Sequence, residues 1–367
     1  MRPTTLTRCV IAAALLAPLC APAQVTTNRS ASIIIFPKVV ADGTSDTVVQ
    51  IANEGESTTH AHCFYVNGAR ALPDQPPGPS NPASWELLDF DIFLTTLQPT
   101  HWVASRGRPN DPTDGGCTSD TSTDCDGAGF DPGRVPALPP GFRGELLCFE
   151  VDTAGAPISG DHLIGAATLQ QVSSGDVAKY NAIGLRGRSS TTNSGDGVLC
   201  LGGEVSADCP TGAEYDACPD TWTLNHLSDG SADPLSSVEV PVANSITVVP
   251  CSHDLETQVP TSVTLQFVII NEFEQAFSAS TTVTCWSDTA LTDINELFSR
   301  DTLGGEFVQT RIRALSGGGG FLVVAQATHG AGGAASSSMT NLFAEGVQST
   351  GSVIRVPLQN VQPGVVR

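Results

Sequence analysis

Lysine is nearly absent from this chain: Lys38 and Lys179 are its two copies. Basic residues number 17 against 38 acids, which leaves a formal charge of −21. Phosphate backbones are gripped by clustered Lys and Arg, so this balance excludes nucleic acid as a partner, and an anionic membrane surface with it. Beyond the N-terminus no apolar run is long enough for a transmembrane segment. Catalytic signatures are also missing. There is no G-x-S-x-G elbow, no H-E-x-x-H pair and no phosphate loop. The expectation is a protein that is not an enzyme, although a triad or carboxylate pair assembled in space would leave no such trace.

What is present begins with MRPTTLTRCVIAAALLAPLCAPAQ. Arg2 and Arg8 precede a short apolar run, and Ala21-Pro22-Ala23 supplies small residues before Gln24. Residues 1–23 therefore read as a secretory signal peptide, too short to span a bilayer, and the protein is expected to be secreted or periplasmic. Removing Cys9 and Cys20 from the 11 cysteines leaves nine. In an exported protein these read as disulfides, and the odd number requires one unpaired thiol or a bond between molecules.

Two stretches repeat. SDTVVQIANEGESTTHAHCFYV (45–66) matches TSVTLQFVIINEFEQAFSASTTVTCWSD (261–288) when Cys63 is set against Cys285. GELLCFEVDTAG (144–155) parallels GFLVVAQATHGAG (320–332), in the same order. Each copy holds about seven alternating runs separated by turn residues, the mark of antiparallel sheets with one face buried. The first copy adds two long Pro/Gly/Asp/Ser-rich loops, near 71–84 and 108–141. WELLDFDIFLTTL (85–97) has room for a helical turn.

The pattern DTVVQIANEGES, followed by a strand ending CFYVNG, resembles the immunoglobulin-like adhesion and binding modules of bacterial exported proteins. That resemblance implies a sandwich used for structure, adhesion or ligand display. The fold expected is all-β: two tandem immunoglobulin-like antiparallel β-sandwich domains with long loop insertions in the first. They would occupy residues 24–187 and 236–367, joined by an irregular Cys-containing connector at 188–235.

The disulfide candidates follow from placement. Cys63 and Cys148 would staple the first domain, Cys251 and Cys285 the second, and Cys117 and Cys125 would close a polar loop tip. Cys200, Cys209 and Cys218 share the connector, and Cys200–Cys218 is the pairing expected there.

His60 and His62 sit two apart on a strand and so point to one face. Both could reach one zinc or copper ion, with His101, His162 or an acid as third ligand. The second copy carries Thr282 and Thr284 at the aligned positions, which favours an ordinary polar strand face. The loop CTSDTSTDCDGAGFDPG (117–133) offers Asp120, Asp124 and Asp126 as oxygen ligands, so calcium is the cofactor it would take. Gly133 stands where such a loop would need its closing Glu. Trp85 and Trp102 would stack on a carbohydrate if they flanked an exposed loop.

The leading reading is an exported, disulfide-stabilised, non-catalytic structural or binding protein of the cell exterior. Its partner would be an extracellular protein or a glycan. The alternatives are a carbohydrate- or surface-binding module and a metal-dependent enzyme centred on His60 and His62.

Overall fold

The computed structural model describes residues 25–70, 81, 83–108, 133–188, 196–203, 205–234, 240–315, 319–330, 335–345 and 351–357. The signal-peptide segment, most of the two long loops, and with them Cys117, Cys125, Asp120, Asp124 and Asp126, lie outside the described residues. Strands make up 58% of the structure and helix 4%, so the chain is all-β.

The first half contains β1 (Ile33–Ala41), β2 (Ser45–Asn53), β3 (Thr59–Asn67), β4 (Glu86–Leu94), β5 (Pro99–Val103), β6 (Phe142–Val151), β7 (Leu163–Gln171), β8 (Val177–Asn181) and β9 (Ile183–Leu185). These coincide closely with the alternating runs. WELLDFDIFLTTL is a strand and not a helical turn, because its alternate residues Phe90, Ile92 and Leu94 are buried.

One layer runs β4-β3-β6-β1-β9 and the other β5-β2-β7-β8. They share the corner where Ala41 of β1 meets Asp46 of β2. The layers face each other: Trp102 of β5 donates its indole N–H to the Tyr65 hydroxyl of β3 at 2.6 Å. The result is sandwich-like.

β1, IIIFPKVVA, is buried along its whole length, as a central β-branched run should be. Its ladder with β6 breaks between Phe36 and Val39, at a bulge holding Pro37 and Lys38. Proline has no N–H to offer a ladder, so a bulge is where a strand can carry one. The backbone groups released there find side chains instead. Tyr180 of β8 accepts the Lys38 N–H at 3.0 Å and donates its hydroxyl to the Lys38 carbonyl at 2.7 Å.

The second half begins earlier than the residue pattern suggests. β10 (Val198–Leu201) and β11 (Thr221–Leu227) lie within the span read as an irregular connector. There follow β12 (Val242–Pro250), β13 (His253–Asp254), β14 (Ser262–Asn271), β15 (Ala276–Thr284) and β16 (Ser287–Ala290). Short helical turns occupy Leu291–Ile294, Glu296–Phe298 and Arg300–Leu303. The chain then forms β17 (Phe307–Ala314), β18 (Phe321–His329), β19 (Ser336–Asn341), β20 (Phe343–Ala344) and β21 (Ser352–Arg355).

One sheet runs β15-β14-β17-β11-β20, another β16-β12-β18-β19, and a small third β10-β21-β13. β11 is thus internal to the larger sheet. Its Trp222 donates to the Phe321 carbonyl of the facing β18 at 2.8 Å.

The repeat is kept in part. β1 pairs with β6 as β12 pairs with β18, and β2 pairs with β5 as β14 pairs with β17. The stretch before the aligned cysteines differs. β3 joins β6 in its layer, whereas β15 folds back on β14 in the opposite one.

The halves share one hydrophobic cluster and dock at the bulge. The buried Lys38 ammonium reaches across to Asp288 at 2.8 Å and to the Gln326 side chain at 2.9 Å. Trp286 donates to the Pro37 carbonyl at 2.8 Å. A side chain on Gly68 would strike the Trp286 ring, so that approach requires glycine.

Cys63 and Cys148 are bonded and stand directly opposite each other on β3 and β6. The other pairings differ from those expected. Cys200 joins Cys209, and Cys218 joins Cys251, so the expected Cys200–Cys218 and Cys251–Cys285 bonds do not form. The reason is the placement of β11. It brings Cys218 beside the end of β12, where Cys251 lies, and leaves Cys285 as a buried free thiol.

Disulfides of this kind contribute about 2–4 kcal/mol each. Peptide mapping of the unreduced protein should recover Cys200–Cys209 and Cys218–Cys251 cross-linked fragments. Cys285 should be alkylated only after unfolding. A Cys251–Cys285 fragment would refute this arrangement.

Candidate functional site

The spacing of His60 and His62 puts both on the outer face of β3, and the register of β4 sets Asp91 opposite His62 and Phe93 opposite His60. Both imidazoles turn to one carboxylate oxygen. His60 Nε2 lies 2.8 Å and His62 Nδ1 2.9 Å from Asp91 Oδ1. Burial by itself would raise the Asp91 pKa. Hydrogen bonds and charge from the two histidines outweigh it and hold the carboxyl down at about 2. His60 also stacks on Phe93, with ring centroids 4.1 Å apart.

Asp89 is 3.8 Å from His62 Nε2, beyond hydrogen-bond reach. Among the described residues no three of His, Cys, Asp and Glu converge in a way that could hold a metal ion. The suggested third ligands sit elsewhere. His101 lies on β5 in the other layer, and His162 is 3.4 Å from Glu150. Thr282 and Thr284, aligned with the histidines in sequence, instead pair with Thr264 and Ser262 by hydroxyl bonds of 2.9 and 2.8 Å. The alignment equates strands of different layers.

Trp85 and Trp102 do not present a stacking surface. Their exposures are 6% and 2%. Trp102 packs edge-on to Phe90, and Trp85 stacks over His253 between the halves.

That inter-half seam holds a pair the residue pattern did not single out. Glu145 of β6 and His253 of β13 are both buried, with Glu145 Oε1 3.4 Å from His253 Nε2. Burial raises the Glu145 carboxyl well above its ordinary value and pushes His253 down to about 4, so burial favours the neutral form of each and His253 is neutral at pH 7. On the same strand Glu150 is raised to about 8, chiefly by burial. The available signal was a carboxylate at each end of an otherwise apolar run, ELLCFE.

A cleft of about 650 Å³ opens in the second half, at the ends of β11, β14 and β17. Its volume suits a small ligand. Ile270 and Phe307 give it an apolar wall, with Phe307 55% exposed. Glu272, Asp233 and His329 give it polar groups, with His329 Nδ1 3.1 Å from Asp233 Oδ2. His226, at the base, is lowered to about 4 by burial and is held between the Leu227 carbonyl and the Thr310 hydroxyl. It is neutral at pH 7, and neither ring nitrogen is left for a ligand.

The buried acids set a pH dependence. A carboxyl raised in the folded state gives stability that is full below its unfolded pKa and is lost as pH rises through the folded one. For Glu150 that window runs from its ordinary 4.5 to about 8. His253 opposes this only weakly above its ordinary 6.5, because its imidazole is already losing its proton in the unfolded chain there and is neutral in the folded one. The thermal midpoint should therefore fall from pH 6.5 to pH 8, and Glu150→Gln should flatten that decline. Circular dichroism melts of both proteins check this; parallel profiles would contradict the assignment.

No family model matches the chain, and no curated protein matches it. A solved structure of broad bean stain virus, determined by cryo-electron microscopy, is similar at 11% identity, covering 91% of this chain and 97% of that one. Its TM-score of 0.13 is too low to carry any argument about fold or function.

Proposed function

We propose that the protein is an exported, non-catalytic structural or binding protein of the cell exterior, built from two immunoglobulin-like halves. The observation that carries this reading is where its reactive groups are. Glu145 and His253 are sealed in the interior, His226 has both ring nitrogens bonded, and His60, His62 and Asp91 are engaged with one another. The second-half cleft is instead amphipathic, with the His329–Asp233 pair beside an apolar wall, a lining suited to holding a ligand. The three disulfides among the described residues support an oxidising compartment. No helix among the described residues is long and apolar enough to cross a membrane.

Carbohydrate stacking through Trp85 and Trp102 loses its basis with their burial, and a metalloenzyme at His60 and His62 gains none from Asp91. Binding is better assigned to the second-half cleft, with an apolar wall beside carboxylates.

Expression with the natural leader in a Gram-negative host tests the export half of this reading. Intact mass should show a mature chain beginning at Gln24, recovered from the periplasm or medium in oxidised form. Cytoplasmic accumulation of the full 367 residues would overturn it.

A further inference from the structure

β15 is an edge strand, hydrogen-bonded to β14 on one side only. At its two ends, Asn271 N–H bonds the Gln275 carbonyl and Cys285 N–H bonds the Thr261 carbonyl. Antiparallel bonding alternates by residue, so odd-numbered positions from 275 to 285 face β14. Ala276, Ser278, Ser280 and Thr282 therefore turn their N–H and C=O groups outward, and among the described residues no second strand is hydrogen-bonded to them. The Thr284 carbonyl is taken by the Trp286 N–H at 2.8 Å.

Such an edge is a template for another strand, and proteins ordinarily blunt it. The other edges here are blunted. β4 carries Glu86, Asp89 and Asp91. β5 begins with Pro99 and is five residues long. β16 and β20 are four and two residues. β8 and β19 close on each other, with Asn341 bonding both the N–H and the carbonyl of Asn181. β15 has nine residues, AFSASTTVT, with no charge and no proline.

We propose that β15 is the interface through which two copies of this chain pair, antiparallel about a two-fold axis at Ser280. The charge pattern favours a second copy. On a chain of net charge −21, a nine-residue edge without a single ionised group is where two molecules can meet without like charges opposed. The side chains are also self-complementary. Centring the axis on Ser280 sets Ser278 against Thr282 of the second copy, the hydroxyl pairing that Thr264 and Thr282 already make within the sheet. It sets Phe277 against Val283 on the opposite face, an apolar cross-strand pair. The two five-stranded sheets become one continuous sheet, and the contact is isologous and closed.

Sedimentation of the mature protein should show a dimer that Ser280→Lys converts to a monomer with unchanged circular dichroism, by setting two ammonium groups face to face. Directly opposed hydrogen-bonded residues have Cα atoms about 5.5 Å apart, within disulfide range. Ser280→Cys should therefore give an intermolecular disulfide under mild oxidation, whereas Thr223→Cys, on the internal β11, should not. A monomer at all concentrations would overturn the proposal. So would a dimer that survives Ser280→Lys, or equal cross-linking at positions 280 and 223.

Discussion

The bulge at Pro37 and Lys38 is the constraint on which the rest of the structure depends. Proline breaks the ladder of the most buried strand, and four neighbours bind what the break exposes. Tyr180 bonds both backbone groups of Lys38 from the opposite layer. Trp286 takes the Pro37 carbonyl from the other half. Asp288 and Gln326 receive the ammonium. One irregular dipeptide thus fixes the packing of the layers in the first half and the docking of the second. One of only two lysines in the chain is placed there. A buried ammonium without partners costs several kcal/mol, which makes the docked arrangement the one that Lys38 tolerates.

Around that joint the polar chemistry is turned inward. Asp91 is shared by two imidazoles, and Glu145 and His253 are buried neighbours in the seam. The first half reads as a disulfide-stapled support. The second half carries the cleft beside Phe307 and the uncharged edge of β15. Recognition surfaces supported on a rigid base are consistent with a structural or binding role.

The first half was legible in the sequence because its strands alternate cleanly and each is bounded by Gly, Pro, Asn or Asp. His60 and His62 do share a face, as period two requires. Their partner could not be read, since Asp91 reaches them through the register of β3 and β4, a long-range property. β11 was hidden for a different reason. TWTLNHL sits between cysteine-, glycine- and aspartate-rich segments that look like connector, and only its pairing with β17 makes it part of a core. The expected Cys200–Cys218 and Cys251–Cys285 pairings failed with it, because Cys218 is carried by that strand into the second half. The repeat misled locally, since similar stretches before Cys63 and Cys285 enter opposite layers.

The central claim is that the two halves form one cooperative unit. Differential scanning calorimetry of the mature chain tests it most directly. A single transition with equal calorimetric and van't Hoff enthalpies is predicted. Lys38→Ala should destabilise it by about 3–5 kcal/mol, by leaving the Asp288 carboxylate, 11% exposed, without its cation. Two separate transitions in the unmutated chain, or no effect of the Lys38 substitution, would contradict the account.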